Sequence, residues 1–415
     1  MENNFKRNLL VDGDYFGNRS IFTLVKNNPE ITLESDRDQE LFYNQMMNDF
    51  KNLYNVFKDY IDDITFVFDS YSWRKLVDPI IPYYMLDSIT EDNKSSLIYK
   101  ANRSKTKEES PINWHNFKVV LTRFYMDIKD YVKAFKLDYL EGDDLLYFVS
   151  HKYSEANQFN IIFCTDGDLK QLLNDNTILF RNITHSKQHP NGEFCVNNNL
   201  ESVINRKTTL DERLLGKIDN KQEYLKSLLN LNGTERHLSV IESPLKIVLT
   251  KIISGDSKDN IFPLFRWLSS TGTRNYSITE KHIDNVLERL SIYNDSDILN
   301  ILDSSDLPKR LIAECANECK QYDKLKGNQK FIDSMYSQYV YNRKLNWLDI
   351  EVYKENNPEL IRSFDSVYNQ IESTTYFIDN TLESRMKDVD VNLIQTYKTN
   401  VNMVKENLLN SITLD

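Results

Sequence analysis

An α/β fold with a central, mostly parallel sheet flanked by helices is predicted by two observations. Three short apolar runs each end in acidic residues, and amphipathic helical stretches lie between them. The runs are residues 9–11 before Asp12-Gly13-Asp14, 64–68 before Asp69, and 161–164 before Thr165-Asp166-Gly167-Asp168. In open parallel sheets the chemistry sits at the carboxyl ends of the strands. If these strands are parallel neighbours, Asp12, Asp69, Asp166 and Asp168 meet at one edge of the sheet. Gathering that many carboxylates is unfavourable without cations, and divalent metal is the simplest reason to do it.

Taken in order, residues 9–11 read as the first strand and 16–25 as a helix. Residues 41–60 form a clear amphipathic helix, because Leu41, Met46, Phe50, Leu53, Val56 and Phe57 recur mostly at three- and four-residue spacing. The second strand is 64–68. From 71 to 114 amphipathic order is lost, with Pro79, Pro82 and Pro111 as breakers. Within this stretch Lys94, Lys100, Arg103, Lys105 and Lys107 surround Tyr99 with no acid among them. On an acidic chain that segment is the best candidate for contact with a phosphate backbone, although most charge runs are solvated loops.

Residues 114–135 read as one helix. Glu141, Asp143 and Asp144 then open another, where three acids in the first turn also suit the helix dipole. A further strand is expected at 178–183, while 191–238 is polar and carries no clear element. Residues 244–253 read as a helix that runs into Gly255-Asp256-Ser257-Lys258-Asp259-Asn260-Ile261. Ser277-Ile278-Thr279-Glu280 has the form of a capping box. Beyond about 292 the pattern is all helical. It includes a Pro358 start after Asn357 and apolar stripes through Ile361, Phe364 and Val367 and through Ile394, Tyr397 and Val401.

The chain has 415 residues, 40% hydrophobic and 27% charged, enough for two or three domains. Only 10 Gly and 9 Pro argue against long flexible linkers, and 12% aromatic residues argue against disorder. A formal net charge of −11 argues against a nucleic-acid coat protein but leaves a locally basic site open. Four cysteines without a Cys-x-x-Cys pair suit a reducing compartment. Cys315 and Cys319 lack the further ligands of a zinc site nearby. No apolar stretch is long enough to span a membrane.

The acids after breaks, in order, are Asp12, Asp69, Glu141, Asp143, Asp144, Asp166, Asp168, Asp256 and Asp259. With Tyr99-Lys100-Ala101-Asn102-Arg103 between the second and third, the set resembles the motifs of the 5′-nuclease superfamily. That superfamily includes flap endonucleases and the ribonuclease H-type exonucleases of T-even phages, whose pattern is the nearest. Leu-Leu-Val-Asp-Gly matches the opening strand and Phe-Val-Phe-Asp the second. Glu141-Gly142-Asp143-Asp144 carries Gly where the family has Ala. The Gly-x-Gly pattern that follows the last acidic motif in typical members is absent, so their potassium site is not carried over.

The resemblance implies a PIN-like 5′-nuclease fold. Its parts are an α/β core at 1–185 including a helical arch at 71–114 and a helical DNA-binding region with a degenerate helix–turn–helix at 186–300; the resemblance does not extend to 301–415, which reads as an all-helical region of unknown role. It implies hydrolysis of phosphodiesters near a 5′ end, on DNA with a 5′ flap or 5′ end or on an RNA–DNA hybrid, with two Mg²⁺ or Mn²⁺ ions. Asp12, Asp69, Glu141 and Asp143 would serve one ion and Asp166, Asp168 and Asp256 the other, with Asp144 and Asp259 orienting waters or ligands. Lys100 and Arg103 would stabilise charge on the scissile phosphate. Tyr99 would stack on a base, and Arg74, Lys105 and Lys107 would contact DNA. A cytoplasmic monomer is expected, in the host cytoplasm if phage-encoded, with the C-terminal helices available to a replisome protein. The alternatives are a PIN-type ribonuclease and a non-catalytic nucleic-acid-binding scaffold.

Overall fold

The structure, a computed structural model, describes residues 5–82, 85, 89, 91–103, 109–182, 189–207, 220–265, 278–304, 306–318, 329–349, 369, 381–387 and 389. Its centre is a seven-stranded sheet. The strands are β1 (Arg7–Asp12), β2 (Asp63–Val67), β3 (Lys133–Phe135), β4 (Phe159–Phe163), β5 (Thr177–Arg181), β6 (Glu193–Asn197) and β7 (His237–Ile241). Their order is β3-β2-β1-β4-β5-β6-β7, and every pairing is parallel except β5 with β6. Residues 9–11, 64–67 and 161–163 thus belong to three adjacent parallel strands, with Leu9 in register with both Ile64 and Ile161, and Phe68 and Cys164 follow just past the strand ends. All five residues of β2 and of β4 are buried. Strands covered on both faces are mostly apolar, and the polar residues that interrupt these two, Asp63, Thr65 and Asn160, each meet a buried partner in Lys133, Tyr153 and the Ser150 carbonyl.

Helices cover both faces. On one lie α1 (Gly13–Asn27), α2 (Asp36–Phe57) and α3 (Trp114–Ile128), where the rings of Phe16, Phe50, Phe66 and Phe124 meet. On the other lies α4 (Gly142–Glu155), which packs Leu145, Leu146 and Val149 with Leu10 and Ile162. Short helices α5 (Asn198–Asn205) and α6 (Asn220–Leu229) attach at the β6 end. A third core forms among α7 (Pro244–Ser254), α8 (Glu280–Arg289), α9 (Asp295–Asp303), α10 (Leu307–Glu318) and α11 (Gln329–Asn346), around Leu249, Ile252, Ile283, Leu311 and Tyr339.

The structure corrects several expectations. The helix expected over 114–135 ends at Ile128, and β3 follows it, because Lys133–Phe135 finds a partner in the edge of β2. The stretch 191–238 holds β6, α5, α6 and the start of β7, so the sheet continues past the boundary expected at 185. The boundary at 300 falls inside α9, whose Ile298, Ile301 and Leu302 share the third core with α7. The capping box sits two residues later than expected, with Thr279 as cap and His282 as its reciprocal partner. Cys315 is buried in the third core, and Cys319 lies outside the described residues. So do the Pro358 start and most of the expected helix–turn–helix and late apolar stripes.

The end of α11 returns to the sheet. The Asn342 amide donates to the carbonyls of Ile252 and Phe262, each at 2.8 Å. Arg74 Nε donates to the Leu345 carbonyl at 3.0 Å, and Gln171 exchanges hydrogen bonds with Asn346 and Leu348. Further on, Leu382, Met386 and Val389 join the main core, and Arg385 donates to the Tyr131 carbonyl at 2.7 Å.

Candidate active site

The site grows from the carboxyl ends of β1, β2 and β4. Asp12 closes β1 and caps α1, accepting the Tyr15 N–H at 2.9 Å. Asp69 follows β2 and accepts the Gly142 N–H at 2.7 Å, while its own N–H donates to Asp14 at 2.7 Å. Gly142 is the first residue of α4, and a Cβ there would lie 3.2 Å from Asp69 Oδ1 and 3.6 Å from Asp12 Oδ1. The missing side chain lets the positive end of α4 come up beneath both carboxylates. Asp143 follows on the same turn, and Asp166 and Asp168 come after β4.

Burial, then repulsion from Asp69, Asp14 and Asp166, pushes the Asp12 carboxyl up to about 8. Asp69 is pushed up to about 6 by burial and then by Asp14 and Glu141. Asp143 is raised well above the ordinary carboxylate range by burial, Asp166 and Asp12. Among the described residues, no cationic side chain forms an ion pair with Asp12, Asp143 or Asp166. The fold gathers these three acids without giving any of them a cationic partner among the described residues.

Lysines serve the acids around them. The Lys118 ammonium pairs with Asp14, and Lys251 pairs with both Asp168 and Asp256. Burial opposes ionisation of Asp256, but the hydrogen bond and charge of Lys251 hold its carboxyl below the usual range. Asp168 stays raised, because burial and Asp166 outweigh Lys251. Lys100 pairs with Glu141. Against its burial, Lys100 and then Arg74 lower Glu141 to about 2. Asp256 and Asp259 lie on a tight turn after α7. There Gly255 has φ +72°, and the Asp256 N–H donates to the Ile261 carbonyl at 2.9 Å.

The basic segment docks on that turn. The Lys100 N–H donates to the Asp259 carbonyl at 2.8 Å, Asn102 to the Ser257 carbonyl at 2.8 Å, and Asn260 to the Ser96 and Ile98 carbonyls at 2.9 Å. Arg103 pairs with the Asp259 carboxylate. The described parts of the expected arch are 3-10 turns at Trp73–Leu76 and Glu91–Leu97, and Lys105 and Lys107 lie outside the described residues.

Two expected DNA contacts are buried instead. Arg74 is 2% exposed. Its guanidinium binds both oxygens of Asp144, at 3.0 and 2.7 Å, and Glu141 at 3.1 Å. Tyr99 is 4% exposed, with its hydroxyl donating to Asp259 at 2.9 Å and Glu141 at 3.2 Å, so its ring offers no open face for a base. Asp144 is wholly buried, accepts the Glu141 N–H at 2.9 Å and completes a reciprocal cap with Glu141. Sequence reading passed over Asp14, Lys118 and Lys251. Asp14 was visible in the same Asp-Gly-Asp break as Asp12, while the two lysines sit on helices where nothing local marks them.

An open groove of about 1000 Å³ runs from Asp166, Asp168 and Asp256 past Lys251 and Lys246 to Tyr293. The donors facing it are hard oxygens, which suit Mg²⁺ or Mn²⁺. Among the described residues no three of these acids place oxygens within 4.8 Å of one another. That spacing fits an ion held by one or two carboxylates with waters completing its shell, as magnesium prefers.

No protein family and no curated protein matches the sequence. Solved structures do. The bacteriophage T5 protein co-crystallised with metal ions is 15% identical at a TM-score of 0.47, over 89% of this chain and 99% of that one. A T5 flap endonuclease pseudo-enzyme–product complex with DNA and metal ions is 15% identical at a TM-score of 0.46, over 88% of this chain and 100% of that one. A T5 5′-exonuclease with bound zinc is 16% identical at 0.44, over 88% of this chain and 100% of that one. No described helix is long and apolar enough to cross a membrane.

Proposed function

We propose that the protein is a metal-dependent 5′-nuclease that hydrolyses phosphodiesters near the 5′ end of a DNA flap or of an RNA–DNA hybrid. The observation that carries this reading is the half-buried group Asp12, Asp69 and Asp143, gathered at the carboxyl ends of β1 and β2 and the first turn of α4 with no ion pair to any of them among the described residues. Their raised carboxyls mark a place that binds either protons or cations.

Asp12, Asp69, Glu141 and Asp143 would serve one ion and its water shell, and Asp166, Asp168 and Asp256 a second, each ion meeting one or two of these carboxylates directly and the others through its bound waters. Mg²⁺ or Mn²⁺ bound there would polarise the phosphate and lower the pKa of a coordinated water. The remaining work belongs to the chain. Asp144 and Arg74 fix the backbone and carboxylate of Glu141. Lys251 holds Asp168 and Asp256 at the groove wall. Asp259 anchors Tyr99, Lys100 and Arg103 as a unit beside the acids, and the two cations stabilise charge developing on the phosphate. Lys246 and Lys258 along the groove add positive charge where a nucleic-acid backbone passes.

The test is cleavage of an end-labelled 5′-flap DNA with Mg²⁺, with and without EDTA, beside an RNA–DNA hybrid and a single-stranded RNA. EDTA-sensitive release of short 5′ products from the flap or hybrid is expected. Cleavage confined to single-stranded RNA would replace this reading with a PIN-type ribonuclease. No cleavage of any substrate would leave a non-catalytic binding protein.

A further inference from the structure

A second cluster of ligand-bearing side chains lies at the far side of the sheet, on β6, β7 and the turn before β6. Glu193 and His237 are register partners on adjacent parallel strands. Their side chains therefore leave the same face of the sheet, one strand spacing apart, about 4.8 Å. His189 is brought to them by a turn closed by the Gly192 N–H on the His189 carbonyl at 3.0 Å, with Gly192 at φ +84°. The His237 N–H donates to the Gly192 carbonyl, so the turn and β7 are tied together. One donor atom from each of the three residues lies within 4.8 Å of the others. The two imidazoles stack at 3.9 Å between ring centres.

We propose that His189, Glu193 and His237 bind a borderline divalent transition-metal cation of the zinc class, at a site separate from the acid cluster. Two imidazole nitrogens and a carboxylate oxygen suit zinc, whereas the all-oxygen cluster at the strand ends suits Mg²⁺ or Mn²⁺. Glu193 is buried, and its two oxygens are oriented by Arg181 at 2.5 Å and Ser239 at 2.6 Å, as supporting groups commonly orient metal-binding side chains. His237 is exposed, so its ring is able to turn out of the stack. That rotation brings the donors toward the roughly 3.3 Å ligand separations of a tetrahedral site with bonds of about 2.0–2.1 Å. A fourth position opens to solvent on the His237 side. Bound metal fastens the terminal strand β7 to β6 and to the turn before it.

The experiment uses the untagged full chain, stripped with EDTA and held in millimolar Mg²⁺ to occupy the acid cluster. Zn²⁺ is titrated against a chromophoric chelator, and Co²⁺ is added separately to record its visible absorption. Wild type is expected to take one equivalent of Zn²⁺ and to show a Co²⁺ band that Zn²⁺ removes. Losing a group that only orients a ligand costs about 10–100-fold in affinity, so His237→Ala and His189→Ala are each expected to weaken binding by at least that factor. Asp12→Asn should keep the equivalent. His237 is exposed, so its variant should match the stripped wild type in thermal midpoint and far-UV signal. An equivalent that survives in both histidine variants, or is lost in Asp12→Asn, overturns the assignment, as does a wild type that takes up no Zn²⁺.

Discussion

Mg²⁺ binding at the acid cluster should be strongly linked to protons. Asp12 and Asp69 share the Gly142 end of α4, and with values of about 8 and about 6 they titrate as one coupled pair. At pH 7 such a pair holds about one proton, and at pH 9 almost none. A cation entering at pH 7 must displace that proton, so its apparent affinity should be about tenfold weaker than at pH 9. Asp143, also raised, adds in the same direction. The sign for stability follows. Raised carboxyls bind protons more tightly in the folded than in the unfolded chain, whose reference value is 3.8. Metal-free stability from these groups is therefore greatest at low pH and is lost as the pH rises from about 4 to about 8. The gain in thermal midpoint from Mg²⁺ should grow over the same window. Calorimetric titration in two buffers of different ionisation enthalpy reads proton release directly. Affinity and heat that depend on neither pH nor buffer would refute the idea that these carboxylates are the ones Mg²⁺ meets.

Four substitutions extend the test. Asp168→Asn should abolish cleavage while leaving affinity for a flap substrate nearly unchanged, and full cleavage in added Mg²⁺ would remove Asp168 from the ion-holding set. Lys100→Ala should slow single-turnover cleavage by roughly a hundredfold or more, the scale for losing one electrostatic stabiliser; a near-normal rate would exclude that role. Arg74→Ala leaves Glu141 and Asp144 buried without their shared cation and should cost about 3–5 kcal/mol in urea unfolding. The salt dependence of its DNA binding should stay as in wild type, and a reduced slope would return Arg74 to the DNA surface. Gly255→Ala forces a side chain into φ +72° with Cβ 2.5 Å from the Ile261 carbonyl oxygen. Its thermal midpoint should fall, and an unchanged midpoint would show that the turn carrying Asp256 tolerates rearrangement.

The strands that define the site were legible because each is local in character. β1, β2 and β4 are apolar runs buried on both faces and followed at once by acids, so period and breakpoint coincide. The three-residue β3 was hidden inside a helical pattern, since only pairing with β2 makes Lys133–Phe135 a strand. β6 and β7 begin with Glu193 and His237, polar residues that disguise a strand start. At the site, the order of the acids was readable, but which polar side chains turn inward was not. Arg74 and Tyr99 look like surface groups until Glu141, Asp144 and Asp259, 42 to 160 positions away, are folded against them. Lys118 and Lys251 were invisible for the converse reason, since a lysine on an amphipathic helix reads as solvated whatever it meets.

The return of α11 to the sheet has a consequence for how the polypeptide can be shortened. Asn342, Leu345, Asn346 and Leu348 grip the ends of the segments that carry Asp256, Arg74 and Asp168. Residues 342–348, in a part of the chain with no recognisable motif, are thus a keystone. A version stopped before residue 329 would keep every acid in its primary structure yet lose the brace on the segments that carry them, so the shortest piece expected to keep their native spacing ends no earlier than residue 348.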